Sequence, residues 1–262
     1  MIDKPHIPLV ITHVAGMQDY RRKLAANKPF VSVGFVPTMG ALHAGHETLL
    51  AKAREENDIC VLSIFVNPTQ FNDSNDFAKY PKTWEQDLEL AKKHKVDVIF
   101  APQFEEMYPD QYQFQITEKS FSKLLCGKDR PGHFDGVLTV VMRLFQLAKP
   151  QRAYFGEKDF QQLTLIKKMV DAFFLDIQII PVPTVREKTG LAMSSRNTRL
   201  SPKDRTQAAN IYQIISKEKD LVTAKKKIEN FGWQVDYLTD FEGRRYAAVK
   251  VHDVRLIDNV EI

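Results

Sequence analysis

The chain has 262 residues, 44% apolar and 27% charged, with 37 Lys and Arg against 33 Asp and Glu. This is the composition of a globular protein with a sizeable core and excludes a disordered chain, while a net charge of only +4, spread along the sequence, argues against bulk nucleic-acid or membrane-surface binding. Cys60 and Cys126 are too few for a disulfide framework and lie at no metal-ligand spacing, and no apolar run approaches the roughly 20 residues of a membrane helix. A soluble, cytoplasmic protein with reduced thiols is expected. Ile7 to Met17 is partly apolar, but His13 interrupts it and no small-residue cleavage site follows before Arg21-Arg22, so it is not read as a targeting segment.

In chain order, Val31 to Val36 reads as a strand and Gly45 to Asn57 as a helix with Leu49, Leu50 and Ala53 on one face. Ile59 to Val66 is a nearly continuous apolar strand, the pattern of a strand covered on both faces. Thr83 to Gln86 fits a capping box that opens a helix running to about Lys95, and Val96 to Ala101 follows as a strand. Gly136 to Ala148 places Val137, Val140, Val141, Leu144 and Phe145 at helical spacing. Arg152 to Phe155 is then a strand, Asp159 to Phe173 a helix and Asp176 to Val182 a strand. This alternation predicts an α/β fold, a Rossmann-like doubly wound parallel sheet. Beyond Pro183 the pattern changes to a polar loop, a Lys-rich helical stretch from Ser201 to Asn230, and strands at Gln234 to Asp240 and Arg245 to Val251. A smaller C-terminal α+β domain over residues 184–262 is expected after a first domain over 1–183, with no internal repeat.

The chemistry gathers where strands end and helices begin. In Pro37-Thr38-Met39-Gly40-Ala41-Leu42-His43-Ala44-Gly45-His46, a helix N-terminus offers unpaired N–H groups to an anion, the two glycines allow close backbone approach, and two histidines three apart can face one phosphate. The plain alternative is an ordinary βα turn with surface histidines; its place after the first strand of a parallel sheet favours function. Asn67 and Gln70 leave the next strand, where open α/β sheets bind ligands, and can fix a hydroxylated or carboxylated substrate without adding charge; a solvated Asn-Pro turn is the alternative. Arg130, in Arg130-Pro131-Gly132-His133, can grip a carboxylate in a fork, though a loop arginine is usually just surface charge. Phe155-Gly156-Glu157-Lys158-Asp159-Phe160-Gln161-Gln162 runs again from strand to helix, with Lys158 placed to meet a phosphate and Asp159 or Gln162 beside it. Met193-Ser194-Ser195-Arg196-Asn197 offers hydroxyls, N–H groups and a guanidinium that can wrap a polyphosphate. By itself it is indistinguishable from a linker.

Taken together, the segments Pro37 to His46, Phe65 to Phe71, Arg130 to Val141, Phe155 to Leu163, Pro183 to Asn197 and Arg255 to Asn259 resemble the pantoate–β-alanine ligase family, within the nucleotidylyltransferase superfamily that shares the H-x-G-H signature. The resemblance spans nearly the whole chain. It implies condensation of pantoate with β-alanine to pantothenate, AMP and pyrophosphate through a pantoyl-adenylate, with ATP as substrate and Mg²⁺ on its phosphates. Carried over position by position, it assigns ATP to Met39, Gly40, His43, Gly45, His46, Gly156, Glu157, Lys158, Asp159, Val185, Met193, Ser194, Ser195 and Arg196. Pantoate falls on Met39, Gln70 and Gln162, while Asn67, Arg130 and Asp159 serve pantoate or β-alanine. Catalysis is expected from His46, supported by His43, as acid or charge-assisted donor to the leaving group, and from Lys158, Ser194, Ser195 and Arg196 on the phosphates. The second domain would form a lid, a homodimer is implied, and neither nucleic acid nor membrane is expected as a partner. Three positions depart from the family pattern: Cys126 where glutamate is common, Phe160 for tyrosine and Lys82 for arginine. Two other readings are a different small-molecule nucleotidylyltransferase, which would need a second anion pocket where Gln70 and Gln162 offer neutral amides, and a non-catalytic nucleotide- or RNA-binding module, which would need basic and aromatic residues interleaved.

Overall fold

The computed structural model describes residues 6–262, so the first five residues of the expected 1–183 domain lie outside the described residues. The first half contains β1 (Leu9–Ile11), α1 (Val14–Asn27), β2 (Val33–Thr38), α2 (Ala44–Glu56), β3 (Ile59–Ile64), α3 (Ser74–Ala78), α4 (Trp84–Lys93), β4 (Val98–Phe100) and α5 (Phe104–Met107). It continues with α6 (Cys126–Asp129), α7 (His133–Ala148), β5 (Arg152–Gly156), α8 (Phe160–Ala172) and β6 (Gln178–Val182). All six strands run parallel in the order β1-β4-β3-β2-β5-β6, a Rossmann-like sheet with one extra edge strand.

The period-two side-chain rule sorts the strands onto two covered faces. Val33, Phe35, Val61, Val98, Phe100, Ala153 and Phe155 enter a core shared with the buried sides of α7 and α8. Val36, Cys60, Leu62, Ile99 and Tyr154 point the other way, onto Leu49, Leu50 and Ala53 of α2 and Ala91 of α4. The apolar stripe expected on α7 is fully buried, which explains why that segment was legible as a helix.

Ile7 to Met17, assigned to no element from the sequence, supplies β1 and the start of α1. Two expectations need correction. The helical stretch from Ser201 to Asn230 is two helices, α9 (Pro202–Lys217) and α10 (Leu221–Glu229), because Asp220 accepts the Thr223 N–H at 2.7 Å and starts a new helix. Thr83 makes no capping bond to its helix; its hydroxyl donates to Asp87 of α4 at 3.1 Å instead.

After β6, β7 (Gln234–Phe241), β8 (Arg244–Val251) and β9 (Val254–Glu261) form an antiparallel sheet. Ile211, Ile215 and Ile228 of α9 and α10 pack with Val249, Val251 and Leu256 into a second core. β9 was not foreseen, because Arg255 and Asp258 break its apolar pattern. Both charges are paired, with Asp236 and Arg186 respectively.

Candidate active site

β2 and β5 are neighbours, but the strands that follow them lie on opposite sides, so their C-terminal ends open a crevice at the point where the strand order reverses. A cavity of about 910 Å³ occupies it, walled by the turns after β2, β3 and β5, by the 185–199 segment and by the tips of the C-terminal sheet.

The turn after β2 is shaped from beneath. Gly40 sits at φ +77° and Ala41 at φ +51°, the left-handed region that favours glycine. Asp87, 1% exposed, accepts the N–H groups of Ala41 at 3.0 Å and Leu42 at 2.8 Å, which fixes how the chain enters α2. At that entry the His43 and His46 rings lie 4.1 Å apart. His43 Nδ1 accepts from the Gly45 N–H at 3.1 Å, and His46 Nδ1 accepts from the His43 N–H at 3.3 Å. With Nδ1 spent as an acceptor on both rings, each neutral imidazole carries its proton on Nε2. Gly45 fits closely here, since a Cβ would stand 3.0 Å from the His43 ring and press on it.

Burial, aided by Lys158, lowers the His43 pKa to about 4, although Asp159 opposes the shift. Burial, His43 and Lys158 lower that of His46 to about 3. Both rings are therefore neutral at pH 7. In the unliganded chain His46 thus offers a neutral Nε2–H, and Lys158 is the cation beside it.

The turn after β3 presents Gln70, whose Nε2 reaches Met39 Sδ at 3.2 Å. Asn67 is 1% exposed and already committed: Nδ2 donates to Gln70 Oε1 at 3.1 Å and Oδ1 accepts from the Tyr108 hydroxyl at 2.9 Å. Its place is behind Gln70, holding that amide. Arg130 donates to the Gln70 carbonyl at 3.0 Å and to His133 Nε2 at 3.1 Å, so His133 must donate from Nδ1 to the same carbonyl, at 2.8 Å. Burial, with Arg130 beside it, lowers the His133 pKa to about 3, and burial together with Arg196 brings Arg130 down to about 10.

The turn after β5 carries Lys158, which lies 3.6 Å from Asp159. It is held from the C-terminal sheet: Asn259 of β9 donates to the carbonyls of Glu157 at 3.0 Å and Lys158 at 2.9 Å. Arg244 in turn donates to Asn259 Oδ1 at 2.6 Å. The 185–199 segment is an ordered hairpin, with Met193 N–H donating to the Val185 carbonyl at 2.9 Å, followed by a single 3₁₀ turn over Ser195–Arg199. Asn197 locks it by donating to Glu187 at 2.8 Å and to the Ala192 carbonyl at 3.0 Å.

Met39, His43, Gly45, His46, Asn67, Gln70, Arg130, Gly156, Lys158, Asp159, Gln162, Val185, Met193, Ser194, Ser195 and Arg196 are all brought to the wall of this one cavity. Gly40 and Glu157 are not. Gly40 turns the chain against Asp87 and Ile64, and Glu157 offers its carbonyl to Asn259 and its side chain to a separate small recess. Sequence reasoning missed Asp87, His133 and Asn259, which act on the site residues from behind. His133 carried a signal in its place in the Arg-Pro-Gly-His run, and Asn259 in closing the Arg255 to Asn259 segment, while Asp87 carried none. Among the departures, Cys126 meets the Tyr237 hydroxyl at 2.9 Å and Arg255 at 3.5 Å, and Phe160 lies under Arg244, 3.8 Å from its ring centroid.

The family model described as pantoate-beta-alanine ligase matches residues 9–261. The chain is 54% identical over 253 residues to the pantothenate synthetase of Bdellovibrio bacteriovorus, covering 97% of this chain and 99% of that protein. It is 53% identical to the pantothenate synthetase of Legionella pneumophila strain Lens, over 88% of this chain and 92% of that one. Among solved structures, the pantoate-beta-alanine ligase of Francisella tularensis, complexed with beta-gamma ATP and beta-alanine, superposes with a TM-score of 0.92 at 42% identity, covering 97% of both chains.

Proposed function

The chain belongs to the pantoate–β-alanine ligase family, ATP-dependent ligases of pantothenate biosynthesis, and we propose that it works through a pantoyl-adenylate built in the cavity between its two halves. The convergence of two Nε2–H imidazoles, Lys158 and the Ser194-Ser195-Arg196 turn on one cavity, opposite the neutral amides of Gln70 and Gln162, carries this reading. ATP takes the first set, with Met39, Gly45, Gly156, Asp159, Val185 and Met193 around the nucleotide. Pantoate takes Gln70, Gln162 and Met39.

In the first step a pantoate carboxylate oxygen bonds to the α-phosphorus as the bond to the bridging oxygen of pyrophosphate breaks. Negative charge grows on the leaving oxygens, where preorganised donors in a dry site lower the barrier. His46, with His43 beside it, donates there from Nε2, and Lys158 and Arg196 supply fixed positive charge. Among the described residues no cluster of three or more His, Cys, Asp or Glu could hold a metal ion, so Mg²⁺ fits as a counterion carried on the phosphates, where it would neutralise charge.

In the second step the β-alanine amine attacks the acyl carbon and AMP leaves. The amine must first lose a proton, and Asp159 is the acceptor we assign; the Arg130 N–H groups not spent on Gln70 and His133 suit the β-alanine carboxylate. Residues 184–262 act as the lid that keeps water from the anhydride. Two free, buried cysteines fit a reducing cytoplasm, and the exposed Leu9 and Val10 of edge strand β1 suit a homodimer.

Pantoate-dependent exchange of labelled pyrophosphate into ATP, with β-alanine omitted, isolates the first step. Exchange should require pantoate and fall about 10² to 10³-fold in His46→Ala, the usual cost of one such donor. Exchange that ignored pantoate would overturn the adenylate reading, and exchange that survived His46→Ala intact would overturn the role given to His46.

A further inference from the structure

Across the mouth of the cavity lies a carboxylate with no part in the steps above. Asp76 sits on α3, after the turn that carries Gln70. Its Oδ2 accepts from Arg196 Nη2 at 2.8 Å and its Oδ1 from Arg199 Nη1 at 3.0 Å. Arg199 reaches on to Asp253, in the turn between β8 and β9, at 3.1 Å. One carboxylate thus ties together the sheet domain, the Ser195–Arg199 turn and the C-terminal hairpin.

The division of donors is informative. A guanidinium has five N–H groups in a rigid fork. Asp76 takes only one end of Arg196, and the other donors have no protein partner among the described residues while the residue lines the cavity. An unpaired arginine side chain would lose much rotamer freedom on meeting a phosphate, and a fixed anion behind it removes that cost in advance. Burial works to raise the Asp76 pKa, but the Arg196 hydrogen bond and the charges of Arg196, Arg199 and Arg130 outweigh it and keep the carboxylate ionised.

We propose that Asp76 is the positioning residue for Arg196, aiming its free N–H groups at the triphosphate and pinning the Ser195–Arg199 turn across the cavity. This rests on the assignment of Arg196 to the triphosphate. Asp76 touches no reacting atom; it acts through the arginine.

The test is a double-mutant cycle read by pyrophosphate exchange, using Asp76→Asn, Arg196→Ala and the two combined. Asp76→Asn should raise the KM for ATP ~10-fold while leaving the KM for pantoate within about twofold, as expected of a misaimed phosphate donor. Asp76→Glu, which keeps the charge, should recover part of that loss, and a variant that merely misfolds would show no such split. In the Arg196→Ala background, Asp76→Asn should add nothing. An ATP KM that is unchanged or lower in Asp76→Asn, or an effect that multiplies with Arg196→Ala, would overturn the proposal. If Arg196→Ala alone left ATP binding untouched, the triphosphate assignment itself would fall, and Asp76 with it.

Discussion

His43, His46 and His133 are all kept neutral by burial, with pKa values of about 4, 3 and 3 against about 6.5 for an unfolded histidine. Between pH 6.5 and 4 the unfolded chain therefore binds protons that the folded chain refuses, and stability must fall as pH falls. From pH 7.5 to 5 each histidine costs on the order of 2 kcal/mol, so urea midpoints should drop steeply over that range, and replacing His133 with Gln should flatten part of the slope. NMR titration offers the direct check: ring signals of His43 and His46 should not move between pH 5.5 and 8 in the free protein. The sequence announced the two site histidines through their spacing and neighbouring glycines. It was silent on their charge state, because that is set by burial in the folded chain and by Lys158 from a distant turn.

Helix α7 positions the Gln70 turn through its backbone as well as through His133. At Gly136 a Cβ would stand 2.5 Å from the Thr69 carbonyl and 2.8 Å from the Gln70 nitrogen, so the helix and the Gln70 turn meet backbone to backbone. Gly136→Ala must push that turn outward; we expect ~1 to 3 kcal/mol of lost stability and a raised KM for pantoate, with the KM for ATP little changed. Denaturant melts and exchange kinetics on the same variant would separate the two effects, and an unaltered pantoate KM would show that Gln70 does not grip pantoate. The stripe of Val137, Val140, Val141, Leu144 and Phe145 made this helix plain in the sequence, as continuous apolar runs did for β3. β1 has only three residues with mostly exposed side chains, and β9 carries charges whose partners lie in other elements, so neither showed a periodicity to read.

The two halves are joined by polar contacts that converge on the cavity from the C-terminal sheet. Asn259 grips the Lys158 turn, and Arg255 spans the gap: it pairs with Asp236 at 2.8 Å on its own sheet and with Asp129 at 3.3 Å on α6, beside Cys126. A glutamate, common in the family at position 126, would offer Arg255 a full charge. Cys126 instead leaves most of the crossing to Asp129 and to the Tyr237 hydroxyl, a weaker fastening for the lid we propose. Arg255→Ala should then loosen the lid without removing any group from the reacting atoms. Pantothenate formation should slow, while AMP accumulates in excess of pantothenate, because water reaches the anhydride before the amine. Counting AMP against pantothenate in one reaction decides the matter: a ratio held at one would mean that closure does not depend on this arginine and that the Asp76 and Asn259 contacts suffice. Cys126→Glu supplies the opposite arm, and should tighten the same fastening and suppress whatever hydrolysis the native chain permits.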